Sequence, residues 1–252
     1  MSSIIEDDKY IICNEKKDIT KVYKTIKTSK YGSNSDIYKY NNQELLKVFY
    51  KPHSIEEMND LERMSNIRTK ALAIAKKILF ISEQFYGFSM DEKSGIALFS
   101  LKLDTLLNDF LKSLKDIEKD LTVLGNNHYI AVDLNVFNIL YDCNKKESNL
   151  IDCDGLFYNK SLSKDSCTSF NLRNLYLFVL RFLSDVYDIR RTKSKCLLYM
   201  NDIVERKFEY SASIDKLFGY LIDFLEEYTD KEINSIGDFR KSLKLSNKIS
   251  IF

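Results

Sequence analysis

The sequence predicts an α+β fold in which a strand-rich N-terminal part holding one helix precedes a larger, mainly helical part. Three observations carry this. Before Gly95, short runs of β-branched and aromatic residues alternate with turn residues. Beyond Gly95, apolar residues recur at the three- and four-residue spacing of a buried helix face. Two short apolar runs, Asn138 to Tyr141 and Asn149 to Cys153, interrupt that helical texture and can pair as a hairpin. A boundary at residues 91–95 divides the chain into 1–92 and 93–252.

The first part opens with three runs, Val22-Tyr23-Lys24-Thr25-Ile26, Ile37-Tyr38-Lys39-Tyr40 and Leu45 to Tyr50. They read as a meander, with Asn41-Asn42 turning the chain between the last two. Ser54 and Glu57 form the Ser-x-x-Glu signature of a helix start, and Ile55, Met58, Leu61 and Ser65 follow at helical spacing, so the pattern predicts a helix from Ile55 to Ile67. Strands at 78–81 and 85–90 complete this part.

In the second part, an apolar stripe from Leu103 through Phe110, Ile117 and Leu124 predicts one continuous helix that Gly125 terminates. Further helices are expected at 171–188, 197–208, 213–228 and 231–245.

Composition narrows the classes of function. Of 252 residues, 44% are apolar, enough for a sizeable core, and 38 basic side chains balance 37 acidic ones, which leaves no global field for nucleic acid. The five scattered cysteines contain no Cys-x-x-Cys pair and read as reduced thiols, while His53 and His128 lie at no zinc-finger spacing. The acidic start, Met1 to Asp8, does not read as a secretory signal. The most apolar stretch, Tyr176 to Leu183, contains Arg181 and falls short of the roughly 20 residues that span a bilayer. The expectation is a soluble cytoplasmic protein with neither a nucleic-acid nor a membrane partner. The basic run Arg190 to Lys195 reads as a solvated loop.

The chemistry concentrates at Asp133-Leu134-Asn135-Val136-Phe137-Asn138, followed by Asp152 at the end of the next apolar run. A hairpin would bring an acid, an amide and a second acid to one end. Such hard oxygen donors, few in number, suit Mg²⁺ that keeps water and phosphate oxygens as its other ligands. Lys47 lies in an apolar strand between Leu45 and Phe49, where an ammonium is poorly solvated and requires an anion.

Together these residues resemble the protein-kinase-like superfamily. Its catalytic loop carries an aspartate, four residues, then an asparagine, and a metal-binding aspartate follows on the next strand. Upstream, Tyr31-Gly32-Ser33-Asn34-Ser35 resembles a reduced phosphate-covering loop, in which Gly32, Ser33 and Ser35 are small enough to let backbone amides face phosphates. Glu44 to Phe49 resembles the strand carrying the nucleotide lysine. The resemblance implies a bilobal fold, ATP and Mg²⁺ as cofactors, Asp133 orienting an acceptor hydroxyl, Lys47 on the phosphates, and Asn138 and Asp152 holding the metal. It also implies a carboxylate on Lys47 from the following helix. Glu57 is already explained by capping, so Glu62, on the apolar face one turn after Met58, is the expected partner.

His-Arg-Asp of the usual pattern is Ala131-Val132-Asp133 here, Asn135 stands where Ser/Thr kinases typically have lysine, and the chain after Asp152 is too short for a long activation segment. His128 is expected to brace the loop through a carbonyl, and Cys153 to be a packed thiol. The function expected is a protein Ser/Thr kinase. The alternatives are a small-molecule phosphotransferase, in which a histidine commonly stands where Asn135 does, and a nucleotide-binding pseudokinase.

Overall fold

The computed structural model, which describes residues 4–27, 34–207 and 213–247, is a mixed α and β structure. Its chain divides into two units. One takes the chain up to Lys93 together with Asp152–Asp154, and the other takes Ser94–Ile151 and the chain from Gly155 onward.

The first unit is built on seven strands. In chain order these are β1 (Ile4–Glu6), β2 (Tyr10–Cys13), β3 (Lys24–Lys27), β4 (Ser35–Lys39), β5 (Glu44–Phe49), β6 (Ala75–Ile81) and β7 (Gln84–Asp91), with helices α1 (Lys16–Val22) and α2 (Ile55–Met64). Their order across the sheet is β1-β2-β6-β7-β5-β4-β3. The expected meander is present as β3-β4-β5, and the Ser54–Glu57 capping box starts α2, which ends one turn sooner than its periodicity suggested. The sequence reading did not anticipate β1, β2 or α1. β2 adds a parallel partner to β6, so the sheet is not purely antiparallel. Ile11, Cys13, Ile19, Leu46, Val48 and Leu79 bury one face of it. The segment is hard to read because only alternate residues are covered: Ile11 is buried while Ile5 and Ile12 stay exposed.

In the second unit, β8 (Ile96–Ala97), β10 (Ile139–Asp142) and β11 (Glu147–Leu150) form a three-stranded sheet, and β9 (Tyr129–Ala131) pairs with β12 (Leu156–Tyr158). The expected hairpin is β10–β11, registered Ile139 to Leu150. Around these lie α3 (Leu107–Ser113), α4 (Lys115–Asn126), α5 (Lys164–Ser184), α6 (Lys195–Lys207), α7 (Ile214–Thr229) and α8 (Ile236–Ser246). Among the described residues, no helix is long and apolar enough to cross a membrane.

The single helix expected over Leu103 to Leu124 is replaced by a loop, α3 and α4. Backbone pairing explains the loop: Leu107 N donates to Asn234 O, Ile236 N to Thr105 O and Gly237 N to Leu103 O, so residues 103–107 bond to Asn234 and the first residues of α8 rather than to their own next turn. Gly125 does not terminate α4 but lies within it. A Cβ there would sit 2.5 Å from the Thr168 Cα of α5, so the glycine permits close approach of two helix backbones.

Of the five free cysteines, Cys13, Cys153, Cys167 and Cys196 are buried and Cys143 is exposed. Burial, with Asp18 nearby, pushes the Cys13 thiol up to about 11. A thiol reagent at neutral pH should therefore label Cys143 quickly and the other four only on unfolding, as mass spectrometry of the native protein would show.

Gly125→Ala gains about 1 kcal/mol of helix propensity. The forced separation of two backbones costs about 1–3 kcal/mol, so the net effect should be destabilising. A urea midpoint equal to or above that of the native protein would contradict this close approach.

Candidate functional site

Lys47 lies on β5, 5% exposed, opposite Phe88 of β7. Its ammonium stands 5.7 Å from the Phe49 ring centre and 6.0 Å from that of Phe88. A Cβ on Gly87, at φ +154°, would meet the Lys47 carbonyl oxygen at 1.9 Å, so only glycine lets β7 come this close to β5. An ammonium in such surroundings is costly unless paired. The anion is Asp152, whose Oδ1 forms an ion pair and hydrogen bond with Lys47 Nζ across 105 positions of sequence. The Asp152 side chain is 46% exposed. Its backbone is left-handed, with φ +64°, a conformation that aspartate tolerates better than most residues.

The pairing expected between Lys47 and Glu62 is not formed. Glu62 Oε1 accepts a hydrogen bond of 2.8 Å from the Tyr10 hydroxyl, and that bond holds the phenol pKa above its ordinary value. Tyr10 comes from β2, which the sequence reading lacked, so the partner that satisfies Glu62 could not be foreseen. Glu57 behaves as expected, accepting from both the amide and the hydroxyl of Ser54.

Ser35 is not a loop residue. It is buried at the start of β4, registered opposite Phe49, because the β4–β5 ladder runs further toward the hairpin end than the apolar pattern implied. Gly32 and Ser33 lie outside the described residues.

In the second unit, Asp133 is exposed and its two carboxylate oxygens each accept an amide hydrogen bond. Asn135 Nδ2 reaches Oδ1 at 2.8 Å and Asn138 Nδ2 reaches Oδ2 at 3.2 Å. Asn135 Oδ1 in turn accepts from the Phe137 and Asn138 amides, so Asn135 closes the turn and braces Asp133 at once. Asn138 is 8% exposed, and its Nδ2 also approaches the Asp133 carbonyl, which leaves Oδ1 as its remaining donor atom. The Ile151 amide donates to the Asn138 carbonyl, one residue before Asp152. Both Asn138 and Asp152 therefore present hard oxygen donors of the type Mg²⁺ takes alongside phosphate oxygens and water. Among the described residues there is no group of three or more His, Cys, Asp or Glu side chains able to hold a metal without such help.

Two asparagines of α5 position this loop, and the sequence reading passed over both. Asn171, fully buried, accepts from the Ala131 amide at 2.7 Å and donates to the Leu121 and Tyr129 carbonyls at 3.0 and 2.9 Å. Asn174 donates to the Ala131 carbonyl at 3.1 Å. They clamp β9, the strand that delivers Asp133, to the helix layer. The signal was available in that Asn171 stands one turn before Leu175 on a face otherwise apolar, where an amide must find partners. His128 braces as expected: its Nδ1 lies 3.0 Å from the Leu162 carbonyl, and since a carbonyl only accepts, Nδ1 carries the proton. Cys153 is packed and 2% exposed.

No protein-family model matches the sequence, and no curated protein matches it.

Asn171→Leu keeps the volume and strands the Ala131 amide. Because a buried polar group left without its partner costs about 1–3 kcal/mol, the loss of all three bonds should lower stability by about 2–4 kcal/mol. Chemical denaturation measures this, and Asn174→Leu, with one bond and a less buried site, should cost less.

Proposed function

We propose that this protein is an ATP- and Mg²⁺-dependent phosphotransferase of the protein-kinase-like type, acting on a protein hydroxyl. The observation that carries the proposal is the ion pair between buried Lys47 and Asp152. In that pattern these two positions are the nucleotide lysine and a metal-binding aspartate, and their association here supports reading both as parts of one device. The order of elements agrees: a hairpin before the lysine strand, a helix after it, then two more strands, a helical part, and a loop-and-hairpin segment holding Asp133, Asn138 and Asp152. The brace of two amides on Asp133 supports its role, since a group that orients a hydroxyl must itself be held still.

In this reading Asp133 accepts a hydrogen bond from the acceptor hydroxyl and takes its proton as the oxygen attacks the γ-phosphorus, while the bond from that phosphorus to the β,γ-bridging oxygen breaks and ADP leaves. Lys47 neutralises phosphate charge with its ammonium, and Asp152 and Asn138 would hold the metal through Oδ atoms. Bound Mg²⁺ would supply charge neutralisation on the phosphate oxygens. Asn135 belongs to the turn and braces Asp133, and it is neither the lysine typical of Ser/Thr kinases nor the histidine common in the small-molecule enzymes.

Purified protein incubated with Mg²⁺ and γ-labelled ATP should transfer label to protein, and Asp133→Ala should lower the rate at least a hundredfold, the usual scale for losing a positioned general base. Label found only on small metabolites, or nucleotide binding with no transfer at all, would overturn the reading.

Lys47→Met separates a functional pair from a structural one. Removing one partner of an ion pair is costly where the other charge stays buried, but the Asp152 side chain is 46% exposed and keeps hydration when the ammonium is gone. The variant should therefore stay folded with only a modest drop in thermal midpoint while losing transfer. A variant that unfolds, or one that is as active as the native protein, would show that the pair serves something else.

A further inference from the structure

Beside the Asp133 loop the second unit carries a cleft of about 570 Å³, bordered by Leu134 to Phe137, by Phe99 and by Phe178 and Phe182 of α5. Its rim is apolar and open. Phe99 and Phe137 stack with ring centres 5.0 Å apart yet remain 68% and 59% exposed. Exposed aromatic pairs of this size mark contact surfaces, because water gains when they are covered.

A second cleft, of about 580 Å³, is polar. Arg173, Arg181, Arg190 and Arg191 border it against only two carboxylates, Asp188 and Glu205. Glu205 bonds both Arg173 and Arg190, at 2.7 and 3.1 Å, and Asp188 bonds Arg191 at 3.1 Å. Among the described residues no carboxylate pairs with Arg181. Arg190 and Arg191, from the basic run that reads as a solvated loop in the sequence, thus border a cationic cleft, which Arg173 and Arg181 of α5, the helix just before them in the chain, complete.

Arg181 and Tyr187 border both clefts, and Tyr187 is 95% exposed. The apolar and cationic surfaces thus run into each other. The apolar end includes Asn135, the residue that holds Asp133.

We infer that the two clefts form one groove that docks the acceptor, a polypeptide segment bearing aromatic or large apolar residues near the acceptor hydroxyl and acidic residues beyond them. This rests on the phosphotransferase reading and names its acceptor class. The charge surplus selects the acidic partner, and the Phe99–Phe137 pair selects the apolar one. A polyanion without apolar side chains would satisfy only half of the groove. Attraction between exposed charges is screened at roughly 8 Å in physiological salt, so the acidic half of the contact must weaken as salt rises.

The test is binding of the full chain, without nucleotide, to a fluorescein-labelled random copolymer of glutamate and tyrosine, read by fluorescence anisotropy. Binding should be at least tenfold tighter than to a lysine–tyrosine copolymer or to polyglutamate, and should weaken with salt. Arg181→Glu and Tyr187→Ser, both at exposed positions, should each weaken it tenfold or more, and Arg181→Lys should restore most of the loss. Equal affinity for the lysine–tyrosine copolymer, stronger binding to polyuridylate, or variants that bind as the native chain does would overturn the groove. The same assay on Asp133→Ala keeps the two readings apart. If that variant and the native chain bind alike and the groove variants do not, while no label is ever transferred, the groove stands and the phosphotransferase falls. If label reaches protein and the groove variants bind unchanged, only the groove falls.

Discussion

An ammonium buried between two phenylalanine rings is the constraint on which the first unit turns. β5 lies between β4 and β7 rather than at an edge, and Lys47, 5% exposed, does not snorkel to water from the face it projects from. The sheet must bring it a carboxylate. That carboxylate comes from Asp152, which follows the β10–β11 hairpin and joins the first unit with its two neighbours. A buried ion pair contributes little net stability once desolvation is counted.

The second unit depends on α5 in two ways. Its buried face supplies Asn171, whose three hydrogen bonds tie β9 to α4, and a close helix approach at Gly125 makes those bonds possible. Its more exposed positions supply Arg173, Arg181 and Phe182 of the groove, beside the buried Phe178. One rigid 21-residue helix therefore both positions the Asp133 loop and borders the surface beside it. Placing functional groups on a regular element rather than on free loops holds them to the tolerance that positioning demands.

Much of the site was legible residue by residue. The apolar strand around Lys47 announced a need for an anion, and the Asp133-to-Asn138 spacing announced a turn carrying oxygen donors. Less legible was which carboxylate answers which cation. Glu62 looked like the partner because it shares the apolar face of its helix, yet a phenol from an unforeseen strand satisfies it. Ser35 looked like loop because its neighbours are small, yet ladder pairing with Phe49 draws it into the sheet.

Local patterns sufficed wherever a short range of residues settles the outcome. The capping box at Ser54, the period of α2, the β10–β11 hairpin and the change of texture near Gly95 all follow from spacing, since period and capping are properties of neighbours. The loop that takes the place of a first helical turn before α3, the role of Gly125, the parallel β2 and the union of Lys47 with Asp152 lay beyond such patterns. Each is a contact between segments far apart in sequence, and its free energy depends on which partner geometry brings within reach, a quantity that no window of adjacent residues contains.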